Sequence, residues 1–485
     1  MRGRLEADVV VVGGGGSGLA AAASAAEAGG TVILLEKNPA LGGTTGLSIG
    51  SITATRTALQ RKAGVEDSPQ EHFEDMPLFA GELAARDNEA LRRVLVEHVP
   101  DTYRWLTSMG LTFFGPMPEP PHRKPRMHNV LPNSRAYIYY LGRRCRKVGV
   151  DLRMNADVKG LVKEDGRVVA VDCTIDGVAT RVHARKGVIL ATGDYSAGRD
   201  FKARYAPAVA DVDAINPTNT GDGRQLGIEA GGRVLNGELV AGPHLRFVAP
   251  PATSWLLKVP PYRAFTKAMK LALDHAPAWL LRPFILSFVT TFLAPELTMF
   301  REGAILVNWD GERFVDEREG ASEAVPRQSR REAFIVFDKP LMDKFSAWPY
   351  FVSTAPGVAY AYVPDYRRNR KDLFHQSDTA RGLADSIGVP AAALEKSAGA
   401  LAGGGQPPYF ALGPVRGWVV LTDGGLAVDV RHRVLDGNDE AIPGLYAVGS
   451  TGQGGLLLEG HGHHLGWAFT SGRRAGRIAA KGSYP

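Results

Sequence analysis

The stretch Asp8 to Lys37, DVVVVGGGGSGLAAAASAAEAGGTVILLEK, constrains this chain more than any other. Val9 to Val12 is a short β-branched run of the kind that sits in a parallel sheet buried on both faces. Gly13, Gly15 and Gly18 follow in G-x-G-x-x-G spacing. The first lets the chain turn, the second lets backbone approach a pyrophosphate, and the third lets helix and strand pack closely. Ser17 to Ala28 is rich in alanine and predicts a helix with its N-terminus aimed at phosphate. Thr31 to Leu35 is the next strand, and Glu36 ends it where an acidic side chain can bind ribose hydroxyls. The glycine spacing alone is a weak signal; strand, glycines, helix, strand and acid in this order predict a dinucleotide site.

The chain has 485 residues, enough for two or three domains, and a net charge of +6. Basic runs at Arg143, Arg144, Arg146 and Lys147, and at Arg367, Arg368, Arg370 and Lys371, lack the interleaved aromatics of a base-stacking platform. They read as solvated surface or as a face suited to an anionic membrane, and no nucleic-acid partner is expected. Cys145 and Cys173 form no disulfide framework, which suits a reducing cytosol. No Cys or His group stands at ligand spacing, so no metal is expected. Met1 to Ala7 is too short and too charged for a signal peptide, so a cytoplasmic location is expected.

In chain order, Ser68 to Met109 reads as helices, with Ser68 and Glu71 as a capping box. Ser134 to Val148 reads as a helix and Asp151 to Met154 as a strand. Val158 to Val162, Val168 to Thr174 and Arg181 to Ala184 predict a meander turning at Asp165-Gly166 and Asp176-Gly177. Gly187 to Gly193 is another buried strand running into glycine, and Asp222 precedes a short helix. Phe247 to Gly405 changes character and reads as an insertion, with a hairpin at Asp310-Gly311. Pro443 to Gly449 and a helix over Leu465 to Ala480 return to the first theme. The expectation is an α/β fold: a Rossmann-like domain over 1–246 and 406–485, with an α+β capping domain over 247–405.

Five blocks stand in order: VVGGGGSGL, LGGTTG, VILATGDYSAG, TGDGRQLGIEAGG and IPGLYAVGS. Together they resemble the flavoprotein superfamily of fumarate reductases and 3-ketosteroid dehydrogenases. AILVNWDGERFVDE is similar to that family's stretch in the inserted domain. The resemblance implies FAD, held here without a covalent bond because no histidine stands in a matching attachment context. It implies FAD contacts at Gly13, Gly15, Gly16, Ser17, Gly18, Glu36 and Lys37. Further contacts are implied at Gly43, Thr44, Thr45, Val158, Ala191, Thr192, Gly193, Asp222, Gly449, His464 and Leu465. Asp194 and Ser450 depart from the family's pattern.

The family moves a hydride between flavin N5 and a carbon–carbon bond next to a carbonyl or carboxylate. Its catalytic positions are not matched: neither the reductases' arginine nor the dehydrogenases' tyrosine follows Arg313-Phe314-Val315-Asp316-Glu317 at the expected place. Leu421 stands where reductases carry a histidine, and His464 where they carry a carboxylate-binding arginine. Candidates for the missing roles are Arg301, His463 and His464, with His461 and His244 beside them; each also reads as an ion pair or a turn residue. The lost carboxylate ligands favour a lipophilic, ketosteroid-like substrate. The alternatives are reduction of an enoate or dicarboxylate, and a membrane-associated flavoprotein with a binding role.

Trp255 to Phe300 holds an amphipathic stretch, Phe265 to His275, and a nearly all-apolar run, Ala278 to Leu293. About 16 apolar residues are too few to span a bilayer, where about 20 are needed. A core helix, an interfacial helix pair and a subunit interface remain open. Trp255, Lys258, Tyr262, Arg263, Trp279 and Arg282 suit headgroups, so peripheral membrane contact through 255–300 is expected.

Overall fold

Strand Leu5–Val12 lies inside an eight-stranded sheet, and Val9, Val10 and Val11 are fully buried in it. On one side it pairs in parallel with Val32–Leu35, which pairs with Asp151–Arg153. On the other it pairs in parallel with Val178–Leu190, which pairs with Ala441–Ala447 from the far end of the chain. The structure, a computed structural model, describes residues 5–251, 259–277, 282, 285, 286, 290, 294–355 and 359–481.

The meander forms as Ala156–Glu164, Arg167–Ile175 and Val178–Leu190. Its two turns have positive φ at both central residues, 47° and 77° at Asp165-Gly166 and 47° and 78° at Asp176-Gly177. That geometry matches strand twist and explains the Asp-Gly choice. One difference from expectation is that the third meander strand and the GVIL strand are one continuous strand.

The final helix, His463–Lys481, lies against the first, Gly16–Glu27. A Cβ added at Gly472 would stand 2.3 Å from the Ser17 carbonyl oxygen, and one at Gly476 2.1 Å from that of Ala21. These glycines let the two helices touch backbone to backbone. Gly476→Val is therefore expected to lower stability by about 1–3 kcal/mol or more through overpacking, read as a shifted urea midpoint.

The insertion carries a five-stranded antiparallel sheet. His244–Phe247, Tyr409–Trp418, Glu332–Phe337 and Ile305–Val307 lie in that order, and Phe374–Ser377 also pairs with Tyr409–Trp418. Alternation gives it two buried faces. Leu306, Ile335 and Phe337 join one core, while Ile305, Val307, Phe334 and Val336 pack under Leu383 and Leu394. The sheet draws in residues on both sides of the expected 247–405, reaching Trp418. The expected hairpin is reduced to one bridge, Val307 to Arg313, because Ile305–Val307 takes Glu332–Phe337 as its partner.

Of the expected membrane-facing segment, Trp255, Lys258, Trp279, Phe284 and Phe288 lie outside the described residues. Helix Arg263–His275 is described, with Tyr262, Phe265 and Leu271 exposed and Thr266 bonded to Thr112 at 2.9 Å. No described helix is long and apolar enough to cross a membrane.

Candidate active site

One cavity opens at the carboxyl ends of the parallel strands, with Arg246 from the insert's sheet in its wall. At its phosphate-binding part, Gly15 caps helix Gly16–Glu27 with extended backbone, and no acidic side chain sits in the first turn. A Cβ on Gly15 would meet only the Gly43 Cα, at 3.8 Å, so the space before it is open. The other glycines are held by protein packing. A Cβ on Gly13 would stand 2.3 Å from the Ala191 oxygen, and one on Gly18 1.9 Å from the Gly13 oxygen. Gly16 N–H donates to Thr45 Oγ1 at 3.2 Å, and Ser17, Gly43 and Thr44 line the same wall. An uncapped helix N-terminus behind an open glycine fits a pyrophosphate.

Next to this cradle, Glu36 Oε2 accepts the Gly14 N–H at 2.6 Å and Oε1 the Asn38 N–H at 2.8 Å. Lys37 Nζ donates to Asp222 Oδ2 and Thr220 Oγ1, both at 2.7 Å. Burial pushes the Asp222 carboxyl up, but the hydrogen bonds from Lys37 and Thr220 win and hold it below its ordinary value. Val158, Ala191, Thr192 and Gly193 also line this region. Gly18 and Gly449 do not. Gly449 instead faces Ser17, where a Cβ would stand 2.7 Å from Oγ, and its N–H donates to Ser471 Oγ at 2.9 Å. Gly18 thus packs against Gly13, as its place in the motif predicts, and Gly449 against Ser17.

The candidate catalytic residues separate. His464 lines the cavity, as does Leu465 in the first turn of the final helix. Its Nε2 is 2.9 Å from Asp423 Oδ1. Burial opposes charge on the ring, but the Asp423 carboxylate wins and holds the imidazole above its ordinary pKa. His463 is corrected: successive helix residues point about 100° apart, so it turns away from the cavity and is fully buried. Its Nδ1 lies 2.5 Å from the Glu459 oxygen and its Nε2 3.0 Å from His72 Nε2. Arg301 is also corrected: it is exposed at the end of helix Thr298–Arg301 and does not line the cavity. His461 does line it, with Nδ1 2.5 Å from Glu119 Oε1, a hydrogen bond that raises its pKa.

Sequence reasoning missed Arg246. Strand His244–Phe247 buries Leu245 and Phe247 in the insert's core and turns Arg246 to the opposite face, against the cavity. The alternation was the available signal; which face met the cavity was not. His244, the neighbour singled out from sequence, is exposed.

A family described as "FAD binding domain" matches residues 8–245 and 296–457. The probable fumarate reductase Ifc3 of Shewanella frigidimarina is 28% identical over 482 residues, 92% of this chain and 70% of that protein. The 3-oxosteroid 1-dehydrogenase of Mycolicibacterium smegmatis is 24% identical over 406 residues, 71% of this chain and 62% of that protein. Among solved structures, the open conformation of a flavocytochrome c3 fumarate reductase superposes with a TM-score of 0.75 at 26% identity, covering 98% of this chain and 78% of that one. The chain belongs to the FAD binding domain family and is an FAD-dependent oxidoreductase of the class acting on CH–CH groups.

Proposed function

We propose that this protein reduces the double bond of an α,β-unsaturated carboxylate, rather than desaturating a lipophilic ketosteroid. The observation that carries the reading is that Arg246 and His464 line one cavity. A carboxylate accepts charged hydrogen bonds from such donors more strongly than a neutral ketone does. His464, whose pKa Asp423 raises against burial, stands in for the arginine absent from its position, and Arg246 adds the second donor. The greater likeness to a fumarate reductase than to a steroid dehydrogenase, in identity and in the share of chain matched, points the same way.

When bound, FAD would supply the hydride for the carbon β to the carboxylate. Arg246 and His464 hold the carboxylate and stabilise the negative charge that builds on it. His461, its pKa raised by the hydrogen bond to Glu119, gives the proton to the α carbon, and its exposed ring recovers one from solvent. The N-terminus of the final helix offers a positive field at Leu465. FAD is held without a covalent bond in this reading, since no histidine stands in a matching attachment context.

Arg246→Ala is expected to lower kcat/KM for a short enoate by about tenfold to a hundredfold, the worth of a charged hydrogen bond, mainly through KM. Arg246→Lys should recover part of the loss. Steady-state reduction driven by a reduced viologen checks this; an unchanged KM for every enoate tried would remove Arg246 from the site.

A further inference from the structure

Three histidines from distant parts of the chain meet behind the cavity. His72 comes from helix Pro69–Asp75, His122 from the loop before strand Met127–Leu131, and His463 from the start of the final helix. His72 and His463 are 391 positions apart in sequence. All three are buried, and one ring nitrogen of each lies within 4.8 Å of the other two. We propose that His72, His122 and His463 form a divalent metal site, suited to Zn2+, that fixes the start of the final helix.

The spacing suits a tetrahedral ion. Imidazole nitrogens about 2.0–2.1 Å from zinc stand about 3.3 Å apart, and His72 Nε2 and His463 Nε2 are 3.0 Å apart. The backing groups suit it as well. The Glu459 carbonyl, 2.5 Å from His463 Nδ1, accepts that N–H and leaves the Nε2 lone pair facing the cluster. Ligating histidines are ordinarily fixed in this way through the outer nitrogen.

Without an ion His122 is poorly satisfied. Arg126 Nη1, 2.9 Å from His122 Nδ1, can only donate, so the hydrogen of His122 sits on Nε2. That Nε2 is buried and has no hydrogen-bond partner among the described residues. His72 Nε2–H donates to His463 Nε2, and an ion would take the place of that hydrogen. An ion on His122 Nε2 moves the hydrogen to Nδ1, which requires Arg126 Nη1 to release that nitrogen and leaves Asp75 Oδ2, 3.9 Å away, as the acceptor to be approached. Arg126 keeps Asp67 and Asp75 as partners. Glu119 Oε2 is likewise buried without a partner, and its carboxylate acts on His463. It brings negative charge beside the cluster, as a divalent ion requires.

The site is buried and set back from the cavity, so its role is structural. His461 and His464, on either side of His463, line the cavity, and a pinned His463 holds both in place. The inference does not depend on which CH–CH substrate is used.

FAD-loaded protein, stripped with a chelator, reloaded with ZnCl2 and desalted, is expected to retain about one zinc per chain by elemental analysis. Its Tm should rise by a few degrees over the stripped form. Co2+ in place of Zn2+ should add visible ligand-field bands in a difference spectrum against the zinc form. His72→Asn and His122→Asn should each lose at least about tenfold in zinc affinity, while His375→Asn, in the insert, should bind as wild type does. Wild-type protein that retains no zinc and shows no cobalt bands overturns the proposal. So does zinc that survives desalting in both His72→Asn and His122→Asn, since the ion then sits elsewhere.

Discussion

Gly15→Leu is expected to give a folded, colourless protein. Gly15 has φ −79° and ψ −172°, which any residue adopts, so leucine adds no backbone strain. Its Cβ meets no protein atom closer than the Gly43 Cα at 3.8 Å. The rest of the side chain fills the space where backbone N–H groups would meet the pyrophosphate. Loss of about 3 kcal/mol of such hydrogen bonding weakens FAD at least about a hundredfold. Gly18→Leu is the contrasting change: its Cβ would stand 1.9 Å from the Gly13 oxygen, so it should unfold the turn rather than empty it. The flavin-to-protein absorbance ratio and the circular dichroism of both variants separate the two effects. Normal FAD content in Gly15→Leu would contradict the placement of the pyrophosphate.

His464→Ala is expected to lower kcat/KM for an enoate by about a hundredfold to a thousandfold, the range for a lost charge-stabilising donor. The charged ring is the active form, so activity is present below its folded pKa and lost as pH rises through it. Asp423 raises that pKa, placing the alkaline limb above the ordinary histidine value of 6.5. Asp423→Asn removes the cause, so the limb should move to lower pH while the acidic side changes less. The stability carried by the pair has the same sign on the His464 side. It is complete below the unfolded histidine pKa and lost as pH rises through the raised one. On the Asp423 side the carboxyl is held down, so the contribution is lost as pH falls through its lowered value. Profiles of kcat/KM for wild type and Asp423→Asn measure the shift directly.

The FAD half was legible because its signals are local. Gly13 to Glu36 is a continuous run in which each residue's role follows from its neighbours, and the Asp-Gly turns state their backbone geometry outright. Gly18 packs against Gly13 as the motif predicts, while Gly449 shows the limit of that reading: its position matches the family, and packing against Ser17 alone is enough to keep it glycine. The substrate half depends on which remote elements pair. Glycines 403 to 405 read as a domain edge, yet Tyr409–Trp418 is the strand around which the insert's sheet is built. Arg370, in a basic run read as solvated, is buried and held by Asp372 and the Val248 carbonyl. His463 and His464 are adjacent in sequence, and only the helix's start at His463 decides which faces the cavity. His72 and His122 carried no spacing that a ligand motif would recognise.

The most direct test of the proposed reaction is a single turnover. The protein is reduced anaerobically, its flavin bleached, then mixed with fumarate, a short monocarboxylic enoate or a 3-ketosteroid while flavin absorbance is followed. The proposal predicts that at least one unsaturated carboxylate restores the oxidised flavin spectrum stoichiometrically, and that Arg246→Ala and His464→Ala slow that step. No reoxidation by any carboxylate, together with bleaching of the oxidised protein by a saturated 3-ketosteroid, would contradict it and restore the steroid reading.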